Sequence, residues 1–298
     1  MTESEIVLIV TGDDFGISPA VNAGIIRAHS EGILTSASLM VNGPAFNEAA
    51  ALAKEHPSLG VGIHISLLRG KALLSPADLP RIVDGAGNFS DAPVSAGFKY
   101  FFDRRVRGEL EKEVDAQIRR FLDTGLSPTH IDGHLHLHMH PVILDILLEL
   151  GEKYSVPAFR LPRESLALNL KVDRQNLWLK SLYTVIYRTL CIYAAKRIRK
   201  KGIAFPNRFF GLLASGHIKE SYLLAIIDNL EPGITEIGMH PALSPPPEVK
   251  RWAAGYEFAA ELQALMSPKV KDRIRSRGIR LASYGILADC CPNHPLGS

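Results

Sequence analysis

The apolar pattern opens with an unbroken β-branched run over residues 6–10, the signature of a strand covered on both faces. It leads into Thr11-Gly12-Asp13-Asp14-Phe15-Gly16, where a loop is expected. Ser18 followed by Pro19 supplies a helix start, with Ser as N-cap and Pro at the first helical position, and Gly32 is placed to end that helix near Glu31. The alternation then repeats. Strands are predicted at 34–41, 60–67, from 129, at 158–161, near 208–213, at 235–240 and at 280–286, and helices at 45–55, 108–123, 141–153, 219–229 and 257–274.

Seven or eight βα units in one chain predict an α/β fold, a TIM-barrel-like (β/α) barrel that is either complete or irregular. Two stretches stand outside the repeat and read as insertions: 69–107, rich in Gly and Pro, and 164–201, which reads as helical. No polar or low-complexity stretch divides the 298 residues, so a single domain over 1–298 carrying these insertions is expected. The formal net charge of +3 is too small for a nucleic-acid binder, and no nucleic-acid partner is expected. Cys191, Cys290 and Cys291 form neither a disulfide framework nor a metal-type spacing, which predicts a reducing compartment. Glu3 and Glu5 precede only a short apolar run, so neither a signal peptide nor a membrane span is expected, and the cytoplasm is the expected location.

The most informative segment is 129–140, Thr-His-Ile-Asp-Gly-His-Leu-His-Leu-His-Met-His, with His or Asp at every even position. On a strand this sets an imidazole face against an apolar one, and such a face is costly to bury unless it is hydrogen-bonded or metal-bound. Extended geometry separates His130 from His134 by about 13 Å, too far for one ion unless the chain curls, whereas His134 and His136 lie about 6.6 Å apart and could act as a pair. His134 is the favoured ligand, with His130, His136 and His138 in supporting or substrate-binding roles.

Asp13 and Asp14 end the first strand, at the face where barrel enzymes carry their chemistry. Adjacent carboxylates on an extended chain point to opposite sides, so one can ligate while the other acts on bound water. In 61–67 the even positions are Gly62, His64 and Ser66, which turns His64 away from the aliphatics and toward a barrel interior. Glu236 to Pro241 repeats the pattern and ends on His240. Four parallel strands thus end in Asp, His, His and His. One carboxylate with two imidazoles leaves coordination positions open for water and substrate, which suits hydrolysis.

In this order, Asp-Asp-Phe-Gly at 13–16, Gly-Ile-His-Ile-Ser-Leu at 62–67, Thr-His-Ile-Asp-Gly-His-Leu-His at 129–136, Met-His-Pro at 239–241 and Ala-Ser-Tyr at 282–284 resemble the YdjC-like carbohydrate deacetylases, a family that includes chitooligosaccharide deacetylases. The resemblance implies a TIM-barrel-like fold, a homodimer, an N-acetylated sugar as substrate, and one divalent ion, magnesium or zinc, held by Asp14, His64 and His134. Asn42-Gly43-Pro44, residues 159–164 and the Phe210 to Gly216 stretch are similar to the hopanoid-associated HpnK branch, which implies an N-acetylglucosaminyl lipid. From Arg174 to Lys201 there are eight Lys or Arg and no Asp or Glu, a pattern that suits a helix lying on an anionic membrane surface, a lid or a dimer contact.

The expected mechanism has Asp13 as general base and His240 as the acid that protonates the departing amine, with the oxyanion on the metal and a backbone N–H. Arg160 orients Asp13, holds a sugar oxygen or forms a plain structural ion pair, and His136 is expected to touch substrate. Two other readings stand beside this one: a different metal-dependent amidohydrolase or phosphoesterase using His134 and His136 as a pair, and a non-catalytic sugar- or lipid-binding barrel.

Overall fold

A computed structural model describes residues 4–290. In chain order it has β1 (Ile6–Phe15), α1 (Pro19–Glu31), β2 (Ser36–Leu39), α2 (Phe46–Glu55), β3 (Gly60–Ile65), α3 (Pro93–Phe102), α4 (Arg107–Leu122), β4 (Ile131–Gly133), α5 (Pro141–Lys153), α6 (Leu166–Val172), α7 (Leu177–Lys200), β5 (Arg208–Phe210), α8 (Glu220–Asp228), β6 (Gly233–Met239), α9 (Phe258–Met266), α10 (Pro268–Ser276) and β7 (Arg280–Leu281). The helix start read from Ser18-Pro19 is as expected: the Ser18 hydroxyl accepts the Val21 N–H.

The sheet is parallel throughout and runs β4-β3-β2-β1-β6-β5. β7 pairs with Val7 and Leu8, and β2 pairs further along β1, from Thr11 onward. The sheet curls but does not close by a continuous ladder. The gap between β4 and β5 is spanned only by the single bridges Ile131↔Phe159 and Ala158↔Ala204 and by the Phe209 N–H donated to the Arg163 carbonyl. The strand expected at 158–161 is therefore reduced to bridging contacts, and the complete barrel is corrected to an open one.

Side-chain parity sets the two layers. On β1, Leu8 and Val10 belong to the large core beneath the helices, whereas Val7 and Ile9 face inward with Ala158, Ala204, Ile234, Tyr284 and Leu287 as an apolar floor. The same inward rows continue toward the C-terminal ends of the strands, but there they carry Thr11, Asp13, Ser38, His64, Asp132 and Glu236, all buried. Gly62 lacks a side chain for a packing reason, because a Cβ there would sit 2.3 Å from the ring of His130.

Three further predicted elements differ. The strand from 129 ends at Gly133, and 134–139 winds as a 3₁₀ turn with Leu135 and His136 at φ +56° and +53°. The helix expected over 257–274 breaks at Ser267-Pro268, where the Ser267 hydroxyl caps a new helix by accepting the Val270 N–H. The strand at 280–286 stops at Leu281 and gives way to a 3₁₀ turn. Within 69–107, Pro93 opens helix α3, and 164–201 is helical as expected. Cys191 is buried and free; the Cys290 side chain and all of Cys291 lie outside the described residues.

Candidate active site

Asp13 and Asp14 close β1 at an irregularity, where the register against β2 shifts between Gly12 and Phe15 and Asp14 adopts φ +61°. That left-handed residue is the reason both carboxylates serve one rim. Four of the six non-glycine residues with positive φ, namely Asp14, Arg69, Leu135 and His136, lie in Asp14's own strand end, the loop after β3 and the turn after β4. Backbone conformations of this kind cost about 1–3 kcal/mol and persist where the surroundings enforce them.

One oxygen of Asp14 meets two imidazoles: Oδ1 lies 2.9 Å from His134 Nδ1 and 3.3 Å from His64 Nε2. One ligand atom from each of Asp14, His64 and His134 falls within 4.8 Å of the others, and all three residues are buried. His64 is oriented from behind, its Nδ1 donating to Asp132 Oδ1 at 2.8 Å, which points Nε2 at Asp14. Burial would lower the His64 pKa, but Asp132 and then Asp14 hold it up at about 10. Burial likewise opposes ionisation of Asp14, yet His134 and His64 keep its carboxyl well below the usual range. A group of this composition can hold a divalent cation.

A second group, Asp13, His64 and Asp132, has similar spacing, but its centre already contains a positive charge. Arg160 Nη1 lies 2.7 Å from Asp13 Oδ2 and 2.6 Å from Asp132 Oδ2. Its Nη2 donates to Asp13 Oδ1 and Glu236 Oε1, and its Nε to Glu236 Oε1. Four of its five guanidinium N–H donors are thereby hydrogen-bonded to Asp13 and Glu236, and Nη1 is also ion-paired with Asp132. Arg160 is fully buried, and of the roles expected of it the geometry shows the contact with Asp13.

Beneath these groups the network runs into the floor. Glu236 also accepts from Thr11 at 2.9 Å and from the Tyr284 hydroxyl at 2.5 Å. Tyr284 stacks on His130 at 3.7 Å, and the Ser38 hydroxyl bridges His130 Nε2 and Asp132 Oδ2. Burial holds His130 at about 3 and His138 at about 4, so both imidazoles are neutral. His136 belongs to neither cation group; its ring packs edge-on against Tyr187 and Phe209, and burial pushes its pKa well down. No group of three or more possible ligands among the described residues includes both His134 and His136. His240 ends β6 with its ring 5.1 Å from Tyr256 and with a buried Nδ1 that has no partner.

The sequence model of the YdjC-like protein family matches residues 7–276, which takes in every residue of this site except Tyr284. The chain belongs to the YdjC-like family. Among its relatives, the carbohydrate deacetylase of Brevibacillus brevis is 35% identical over 94% of this chain and 99% of its own. The chitooligosaccharide deacetylase of Enterobacter sp. is 31% identical over 93% and 98%. Among solved structures, a proposed cellobiose-phosphate cleavage protein from Enterococcus faecalis V583 superposes with a TM-score of 0.73 at 30% identity, covering 96% of this chain and all of that one.

In this YdjC-like chain the structure brings Asp13, Asp14, His64 and His134 close together, and the sequence analysis assigns no role to Asp132, Glu236, Tyr284 or Ser38. A signal for two of them is present. A lone Glu in the middle of an apolar strand, and an Asp in phase with His130 and His134, are both charges in rows that must face inward. A further link joins residue 164 to the segment after β5: Glu164 Oε2 accepts the backbone N–H groups of Gly211, Leu212 and Leu213.

Proposed function

We propose that this protein is a metal-dependent N-deacetylase of N-acetylated amino sugars, with Asp14, His64 and His134 holding the ion. The observation that carries the reading is the meeting of one Asp14 oxygen with two imidazole nitrogens at 2.9 and 3.3 Å, next to a second carboxylate, Asp13. Three carboxylates, Asp13, Asp132 and Glu236, share a single guanidinium, and a fourth, Asp14, lies against the two imidazoles, so the pocket carries excess negative charge that a divalent cation offsets. His134 Nε2 is buried without a partner, and His64 Nε2 is already aimed, which fits the donor set to magnesium or zinc. The naming of the relatives as carbohydrate and chitooligosaccharide deacetylases supports the substrate class.

A divalent ion held by Asp14, His64 and His134 would supply Lewis-acid chemistry to the acetamide carbonyl and to water. Asp13 is the carboxylate placed to take a proton from the attacking water. Both its oxygens are gripped by Arg160, at 2.7 and 2.8 Å, which fixes the carboxylate plane while leaving each oxygen a lone pair. His240, directly after β6, the strand that pairs with β1, supplies the proton to the departing amine, and its unpartnered Nδ1 supports this role. His136, on the strained turn and neutral, contacts the sugar.

The test is acetate release by the purified protein from N-acetylchitooligosaccharides and from an N-acetylglucosaminyl lipid, before and after chelation. We expect release from at least one class, lost on chelation and restored by zinc or magnesium. Metal-replete protein that frees no acetate from either, or that frees phosphate from phosphate esters instead, overturns the reading.

A further inference from the structure

Fourteen large apolar side chains are exposed among the described residues, and twelve of them lie on just two helices, α3 and α7; the others are Leu243 and Leu281. Both helices come from the stretches inserted into the βα repeat, and both pack against α5. They meet the 134–140 turn from two elements: Phe101 of α3 lies 6.1 Å from the His140 ring, and Tyr187 of α7 lies 5.9 Å from the His136 ring. Phe98, Phe102, Trp178, Val185 and Ile192 are each more than 60% exposed. Scattered exposed apolar residues need no explanation, but concentration of this kind marks an interaction surface.

Charge decides what covers it. The exposed face of α7 is mainly apolar through Tyr193, interrupted by Arg188 and Thr189, and basic beyond it, where Lys196, Arg199 and Lys200 have no ion pair among the described residues. Lys196 and Arg199 line a groove of about 500 Å³ with Arg163, Ile192 and Ala195, and no acid lines it. A second copy docking through the same face would have to meet this patch with another part of the same surface, and the groove itself offers these cations no acid. No helix among the described residues is long and apolar enough to cross a membrane. Aromatic side chains beside unpaired cations match a bilayer surface, where rings enter the acyl boundary and cations meet phosphate.

We propose that α3 and α7 form a docking face for an anionic lipid bilayer, with Arg163, Lys196 and Arg199 on lipid phosphate and Phe98, Phe102 and Trp178 in the interface. Docking of this kind sets the 134–140 turn beside the lipid. It stands apart from the deacetylase reading, since it rests on surface residues alone.

Vesicles of phosphatidylglycerol mixed with phosphatidylcholine should sediment the full chain and move Trp178 emission to the blue. Pure phosphatidylcholine should do so far less, and added salt should weaken the binding. The pair Trp178→Ser with Phe102→Ser, and separately the pair Lys196→Glu with Arg199→Glu, should each weaken binding about tenfold or more with an unchanged melting temperature. Equal binding to the two vesicle types, or wild-type binding by either pair of substitutions, overturns the proposal. So does a solution dimer that the Trp178 and Phe102 substitutions dissolve, which would give the face to a second copy.

Discussion

Arg160 holds both carboxylate oxygens of Asp13, at 2.7 and 2.8 Å, while its remaining N–H groups are shared between Asp132 and Glu236. One buried side chain therefore ties the proposed base on β1 to β4 and β6. Asp13→Asn keeps the side-chain shape and removes the base. Deacetylation should fall by about 10²–10⁴ while bound metal stays near the wild-type ratio. Parallel measurement of acetate release and metal content checks both halves, and full activity in this variant removes Asp13 from the role.

His64 owes its direction to Asp132. Asp132→Asn weakens the hydrogen bond at Nδ1, measured at 2.8 Å, and leaves the imidazole free to turn. Metal affinity should drop by about 10–100-fold, read by competition with a chelating dye. His134→Ala removes a ligand outright, and metal should be lost at dye concentrations that leave the wild type loaded.

Gly62 and His130 leave no space between them. A methyl at Gly62 would lie within 2.5 Å of three His130 ring atoms, and that ring cannot retreat because Tyr284 stacks on it at 3.7 Å. Gly62→Ala should cost about 1–3 kcal/mol in urea unfolding. It should also disturb Ser38 and Asp132, so the metal affinity should fall with the stability.

Glu164 gives a pH signature away from the metal. Burial raises its carboxyl to about 6, with the three backbone N–H groups of 211–213 only partly offsetting that push. Because the folded value lies above the ordinary 4.5, its protonated form favours folding. Its contribution is fully present below about 4.5 and lost as pH rises through about 6. Glu164→Gln, neutral at every pH, should be more stable than the wild type by about 1–2 kcal/mol at pH 8 and should show no gain at pH 4. Urea midpoints at the two pH values measure this difference.

The strands that frame the site were legible because their apolar and polar residues alternate with the barrel's two layers. His64, between Ile63 and Ile65, could face only inward once those aliphatics were committed to the helices. The turn after β4 was not legible. Leu135 and His136 are ordinary L-residues in left-handed backbone, and the perfect even-position run of histidines mimics a strand that the chain abandons at Gly133. That curl is what separates His134 from His136, so the choice between them could not be read from spacing. Arg160 was visible as a lone cation, but its three partners come from β1, β4 and β6, and long-range convergence leaves no trace in local pattern. Helix α3 was hidden by the Gly and Pro content around it, although Pro93 at its first position is a start signal.

β1 is paired along one edge with β6 from Ile6 to Gly12, and along the other with β7 and then β2. Asp13 and Asp14, the proposed base and ligand, thus follow directly on this doubly paired backbone, at the irregularity that ends it, while the segments around them are turns and inserted helices. Taste for a particular sugar can drift in those outer pieces over evolutionary time without loosening the anvil on which the bond is broken.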